Sequence, residues 1–191
     1  MANVLIPLAQ GCEELEAVTL IDLLRRAGIQ VITASLDDKP VKASRGTVLI
    51  ADMTLDAALK HDYDMIALPG GMPGANHLRD DPRIQHCLKN MAANNKYIAA
   101  ICAAPKALAK AGLLDGKKVT SYPGSLDDSQ ANYLQYLEQA VVIDGKIITS
   151  RGPGTAMDFA LTLIELLLGK QKRLEVEAPL QRPVTQFTKS S

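Results

Sequence analysis

Three short apolar runs, residues 3–8, 63–68 and 97–101, each stop at a glycine or small-residue turn. After the first and third a helix-period segment follows directly, and after the second it follows a loop holding Pro73 and Gly74. Runs of this length bounded by turn signals read as buried strands. After the first run, Ala17, Leu20, Ile21 and Leu24 recur at i, i+3, i+4 and i+7, predicting a helix over 13–27. Acidic Glu13, Glu14 and Glu16 open it, Arg25 and Arg26 close it, and Gly28 follows as a C′ residue. The β-branched segment 29–34 is then a second strand. A strand–helix–strand unit of this kind builds a parallel sheet, so the chain is expected to be α/β with a mostly parallel central sheet.

The same grammar continues to the C-terminus. A helix is predicted over 82–94, and Pro105 sits in the first turn of another that continues through 107–111 and stops at Gly112. Residues 141–143 and 147–149 flank Asp144–Gly145, a hairpin signal. Ala156, Phe159, Ala160, Leu163, Ile164 and Leu167 fit a final long helix over 155–168, which Gly169 ends before a short basic helix. The 191 residues carry no repeat and no linker. One domain over 1–181, with a polar tail over 182–191, is therefore expected.

Composition narrows the function. Lys plus Arg and Asp plus Glu balance at 21 each, so no basic field is available to neutralise a phosphate backbone, and nucleic acid is not an expected partner. The basic stretch 170–173 reads as a solvated helix end. The cysteines, Cys12, Cys87 and Cys102, are odd in number and form no CxxC pair, which points away from zinc and towards a reducing compartment. The first nine residues lack a basic n-region, and the apolar run 161–168 is far below the ~20 residues of a membrane span. A cytoplasmic protein with no membrane partner is expected.

The chemistry concentrates at Ala99-Ala100-Ile101-Cys102-Ala103-Ala104-Pro105. An apolar strand ends in a cysteine and a helix starts at once, with small neighbours that permit a sharp turn. A helix start favours a thiolate, whereas a small buried core cysteine is the equally weighted structural account. Ligands bind beyond the carboxyl ends of parallel strands, so the turn at Gly11, the Gly70–Gly71 pair and Cys102 can converge on one site. Gly70 and Gly71 offer backbone N–H groups to an oxyanion. Of Glu13, Glu14 and Glu16, the residues alone do not select the one that faces the cysteine.

Four ordered stretches carry a resemblance across residues 3–180. They are Gly11-Cys12-Glu13-Glu14-Leu15-Glu16, Leu68-Pro69-Gly70-Gly71, Ala99-Ala100-Ile101-Cys102-Ala103 and Ser150-Arg151-Gly152-Pro153-Gly154-Thr155. The chain resembles the ThiJ/PfpI superfamily, in particular the branch with the parkinsonism-associated protein deglycase and bacterial YajL. That resemblance implies a flavodoxin-like sandwich with helices on both faces of the sheet, and a homodimer with the first helix, including Leu15, at the interface. It implies Cys102 as the reactive cysteine and Glu16 as its partner carboxyl, protonated in the reduced enzyme. Gly71 and Ala103 fall on backbone donors of an anion pocket, and Arg45 on a pocket arginine near the subunit interface. No cofactor or metal is implied.

The implied activity is cofactor-free and cysteine-dependent: a glutathione-independent glyoxalase or protein deglycase, turning methylglyoxal into lactate. The substrates are small dicarbonyls or glycated protein. The rival is an oxidative-stress sensor or redox-regulated chaperone that uses oxidation of Cys102. A cysteine peptidase ranks lower, because Tyr122 stands where some relatives place a histidine, and His61, His77 and His86 lie elsewhere. His77 follows the Gly–Gly loop and is the histidine with a route towards the pocket. A thiamine-related role ranks lower still, since no phosphate loop follows Gly70–Gly71.

Overall fold

The computed structural model describes residues 2–126 and 134–182. The expected tail lies, from 183 on, outside the described residues.

The chain begins with β1 (Asn3–Leu8), α1 (Glu14–Arg26) and β2 (Gln30–Ser35). A two-stranded hairpin, β3 (Val41–Lys42) with β4 (Val48–Leu49), follows, and then β5 (Met53–Thr54) and α2 (Leu55–Ala58). Next come β6 (Met65–Leu68), α3 (Gly74–Asp80), α4 (Pro82–Ala93), β7 (Tyr97–Ile101) and α5 (Pro105–Lys110). The short β8 (Lys118–Val119) and β9 (Gln135–Tyr136) precede the hairpin β10 (Val141–Asp144) and β11 (Ile147–Ser150). The described helices end with α6 (Ala156–Leu168) and α7 (Lys170–Glu177), and a 3-10 turn covers Ala178–Leu180.

Seven strands form the main sheet in the order β10-β11-β7-β6-β1-β2-β5. All neighbours pair parallel except β10 with β11. This is the expected mostly parallel sheet, closed at one edge by the hairpin read at Asp144–Gly145. Strand alternation sorts β1 into two cores: Val4, Ile6 and Leu8 belong to one, Leu5 to the other. The first core is filled by Leu20 and Leu24 of α1 and by Phe159, Leu163 and Ile164 of α6. The second is filled by Leu78, Ile84, Leu88 and Leu108 of α3, α4 and α5. Each such fully buried Leu or Ile side chain contributes about 1.5–3 kcal/mol. Helices therefore cover both faces, and among the described residues no helix is long and apolar enough to cross a membrane.

The order of strands matters for function. The chain builds outward from β1 through β2 on one side and through β6 and β7 on the other, so β1 and β6 flank a switch point. Loops at the carboxyl ends of strands diverge there and leave a crevice. The sequence pattern reads the stretch of α3 as loop and leaves β3–β4, β5, α2 and β9 unassigned. Two-residue strands carry no usable period, and Pro73 and Gly74 disguise the start of α3.

Candidate active site

The end of β7 is held in an unusual shape. Cys102 has φ +62°, a left-handed conformation that a side chain makes unfavourable. Its N–H donates to the Ser150 carbonyl at 2.9 Å, and its carbonyl accepts from the Tyr122 N–H at 2.8 Å and the Ser125 hydroxyl at 3.4 Å. Bonds from β11 and from the segment after β8 thus fix the elbow on both sides. Ala103 and Ala104 fill the turn before α5, where a larger side chain would meet the buried core. Strain over-determined by its surroundings in this way is a feature of reactive positions. The turn leaves Cys102 8% exposed.

Glu16 comes from the first turn of α1 and is 0% exposed. Its Oε2 accepts the Gly70 N–H at 2.8 Å, and its carboxyl lies beside the Cys102 thiol, which acts to lower its pKa. Oε1 is buried without a hydrogen-bond partner. A signal for this placement was present in the sequence. Glu16 lies four and eight residues before Leu20 and Leu24, on the same inward stripe, whereas Glu14 precedes Val18, which is 45% exposed.

The backbone N–H groups of Gly71 and Ala103 lie beside the Cys102 sulfur and act to lower its pKa. Gly71 has φ +89°, and a Cβ there would lie 2.3 Å from the Glu13 nitrogen, so only glycine lets this loop approach. Gly70, expected beside Gly71 as a donor to an anion, directs its N–H to Glu16 Oε2 in this structure. The physical reason is that a buried carboxyl oxygen needs a donor, and Gly70 is the one in reach.

Burial works against charge on both acids. It pushes the Glu16 carboxyl up to about 7, against the lowering effect of the Gly70 N–H and of Cys102. Burial, and then the charge of Glu16, pushes the Cys102 thiol up to about 12, against the N–H groups of Gly71 and Ala103. The two groups therefore titrate as a coupled pair. With a proton on Glu16, its repulsion of the sulfur is gone, and the sulfur faces three donors: two N–H groups and the Glu16 O–H. A thiolate is favoured in that arrangement alone, a narrower condition than a helix start would suggest.

The other expected residues are not brought to the sulfur by any described bond. Arg45 is exposed on the β3–β4 hairpin, where its N–H donates to Glu14. His77 is exposed on α3 and lines a depression with Gln10, Asp37 and Asp80. Tyr122 is 53% exposed and reaches the elbow through its backbone. Cys12 is fully buried in the core, with its thiol pushed up to about 11 by burial. Among the described residues no group of three or more His, Cys, Asp or Glu side chains is arranged to hold a metal.

Comparison with known proteins identifies the family. A family model for the DJ-1/PfpI family matches residues 2–166. The Parkinson disease protein 7 homolog of Danio rerio is 44% identical over 179 residues, covering 92% of this chain and 95% of that protein. The glutathione-independent glyoxalase DJR-1.2 of Caenorhabditis elegans is 36% identical over 179 residues, covering 94% and 95%. The solved structure of oxidized Toxoplasma gondii DJ-1 superimposes with a TM-score of 0.89 at 44% identity, covering 94% of this chain and 98% of that one. With the strained cysteine, its buried carboxyl and a match that runs through both, this chain belongs to the DJ-1/PfpI family.

Proposed function

We propose that the protein is a cysteine-dependent enzyme that converts reactive dicarbonyls to hydroxy acids without glutathione, methylglyoxal to lactate being the reference reaction. The observation that carries this reading is a fully buried carboxyl, Glu16, raised to about 7 by burial and set beside Cys102, a buried cysteine held at φ +62°. A group with a pKa near the working pH can give and take a proton with equal ease. The similarity to a relative named as a glutathione-independent glyoxalase supports the same reading.

The steps balance with these groups alone. The Cys102 thiolate adds to the aldehyde carbon, and Glu16 gives its proton to the new oxyanion, which Gly71 and Ala103 N–H groups steady. The Glu16 carboxylate then takes the hydrogen of that carbon and returns it to the neighbouring carbon, while the hydroxyl proton moves to the former ketone oxygen. The result is a lactoyl thioester on Cys102. Water, deprotonated by Glu16, attacks the thioester and the thiolate leaves. Lactic acid is released, and the thiolate and protonated Glu16 are restored. The same addition would serve an early glycation adduct on protein.

The test is direct measurement of lactate from methylglyoxal without glutathione. Turnover should vanish in Cys102→Ser and fall about 10²–10⁴-fold in Glu16→Gln. No lactate from folded, reduced wild-type protein would overturn the assignment. It would favour the second reading, an oxidation sensor, which the similarity to a protein solved in an oxidized form supports. There, two equivalents of peroxide would carry the thiolate to a sulfinate that Glu16 and the two N–H groups hold. In either role the protein would pair with a second copy through α1.

A further inference from the structure

The first turn of α1 carries a second carboxylate whose bonding the reaction does not use. Glu14 Oε1 accepts from the N–H of Arg45 at 3.0 Å and from the N–H of Thr47 at 3.3 Å. Its Oε2 accepts from the Ser44 hydroxyl at 3.1 Å and lies 3.1 Å from the Arg45 nitrogen. The same Ser44 hydroxyl is 2.9 Å from Glu13 Oε2. Glu13 occupies the N-cap position of α1 but makes no side-chain cap. The start of this helix is thus fastened from outside, to the turn between β3 and β4.

That fastening belongs to a continuous network ending at the sulfur. The Ser44 N–H donates to the Cys12 carbonyl at 2.8 Å, and the Gly11 N–H to the Lys42 carbonyl at 2.8 Å. On its other side the same β1–α1 segment meets the glycine loop: the Glu13 N–H donates to the Gly70 carbonyl at 3.0 Å. The Gly70 N–H then donates to Glu16, which contacts Cys102. The Glu14 carboxylate is desolvated to a degree that opposes its charge. Even so, its own N–H, those of Arg45 and Thr47, and the Ser44 hydroxyl bring it down to about 2. It is therefore ionised at neutral pH, and both of its oxygens are available as acceptors for the 44–47 turn.

We propose that Glu14 is a positioning residue for the Cys102–Glu16 pair: by gripping the 44–47 turn it fixes the first turn of α1, and with it the place of the Glu16 carboxyl against the sulfur. The claim concerns the site on which the proposed function rests, but not the identity of its substrate. Two titratable groups bear on the Cys102–Glu16 contact, Glu16 itself and Glu13 behind it, and Glu14 acts through neither charge. The mechanism is one of distance: a hydrogen bond to a charged sulfur weakens steeply when its donor drifts.

The test is the pH profile of Cys102 alkylation by iodoacetamide, followed by mass spectrometry of the Cys102 peptide so that Cys12 and Cys87 do not contribute. In Glu14→Ala the rate at neutral pH should fall about tenfold, a one-unit upward move of the profile. Glu14→Gln should stay within about twofold of wild type, because an amide oxygen can accept from Arg45 and Thr47 and its NH2 can donate to Ser44. Ser44→Ala should shift the profile in the same direction by less. A Glu14→Ala profile equal to wild type would overturn the proposal. So would Ala and Gln variants that shift alike, since that pattern belongs to lost charge. The readout needs no dicarbonyl turnover, so it stands whether or not lactate is formed.

Discussion

The Gly70 N–H points at Glu16 Oε2 from 2.8 Å, and a Cβ on Gly70 would lie 2.7 Å from the Cβ of Cys102 and 2.9 Å from that same oxygen. Glycine is required here by space, because the carboxyl, the nucleophile and the loop share one small volume. A Gly70→Ala variant must push aside the Ile101 carbonyl as well, 2.9 Å from the added methyl. We expect a loss of about 1–3 kcal/mol of stability in urea unfolding, with Cys102 alkylation altered in parallel. A variant as stable as wild type would show that the loop can retreat.

Glu16 gives the protein a pH dependence of definite sign. Its carboxyl is raised from 4.5 to about 7 by burial, so the folded state holds a proton that the unfolded chain releases earlier. The resulting stability is complete below pH 4.5 and is lost as pH rises through about 7. The difference of about 2.5 units corresponds to something on the order of 3 kcal/mol across that window. Glu16→Gln, whose side chain does not titrate, should flatten this decline when unfolding free energy is measured from pH 4.5 to 8. Parallel curves for the two proteins would contradict the raised carboxyl.

The backbone at Cys102 should reveal its strain by substitution. A change from alanine to glycine inside regular structure costs roughly 0.5–1 kcal/mol. At φ +62° the cost of a Cβ, about 1–2 kcal/mol, acts in the opposite direction. Cys102→Gly should therefore be at least as stable as Cys102→Ala in chemical unfolding. A glycine variant weaker by 1 kcal/mol or more would mean that the elbow is relaxed.

The outer face of α1 carries Leu15 at 52% and Val18 at 45% exposure, and Ile50 beside β4 is 84% exposed. Val18, Ile21, Leu49 and Ile50 line one depression. Exposed apolar side chains grouped in this way can be covered by a second copy of the chain. If a second copy covers it, Val18→Asp and Ile50→Asp should convert a dimer to a monomer in light scattering. A wild-type protein that is already monomeric at micromolar concentration would remove the pairing.

Much of this was legible in the residues. The apolar stripe of α6 was expected over 155–168 and is found at Ala156–Leu168. The strand before Cys102 has the expected bounds. Periodicity succeeds there because each element repeats its own pattern several times. It fails at β3–β4, where two-residue strands have no repeat, and the clamp on Glu14 went unseen with them.

By itself the sequence determined a parallel α/β sheet, a cysteine at the tip of a strand, and a run of three glutamates opening the first helix. Only the tertiary structure decided what each of those groups does. It turned Glu16 inward and left Glu14 to the hairpin, and it assigned the Gly70 N–H to a carboxyl from 54 residues away. It also set Cys102 and Glu16 side by side in a buried place, so that their titrations are coupled. The reason is physical: a residue's periodicity is a property of its neighbours in the chain. Burial and the supply of hydrogen-bond donors are set by segments that meet only when the sheet has closed.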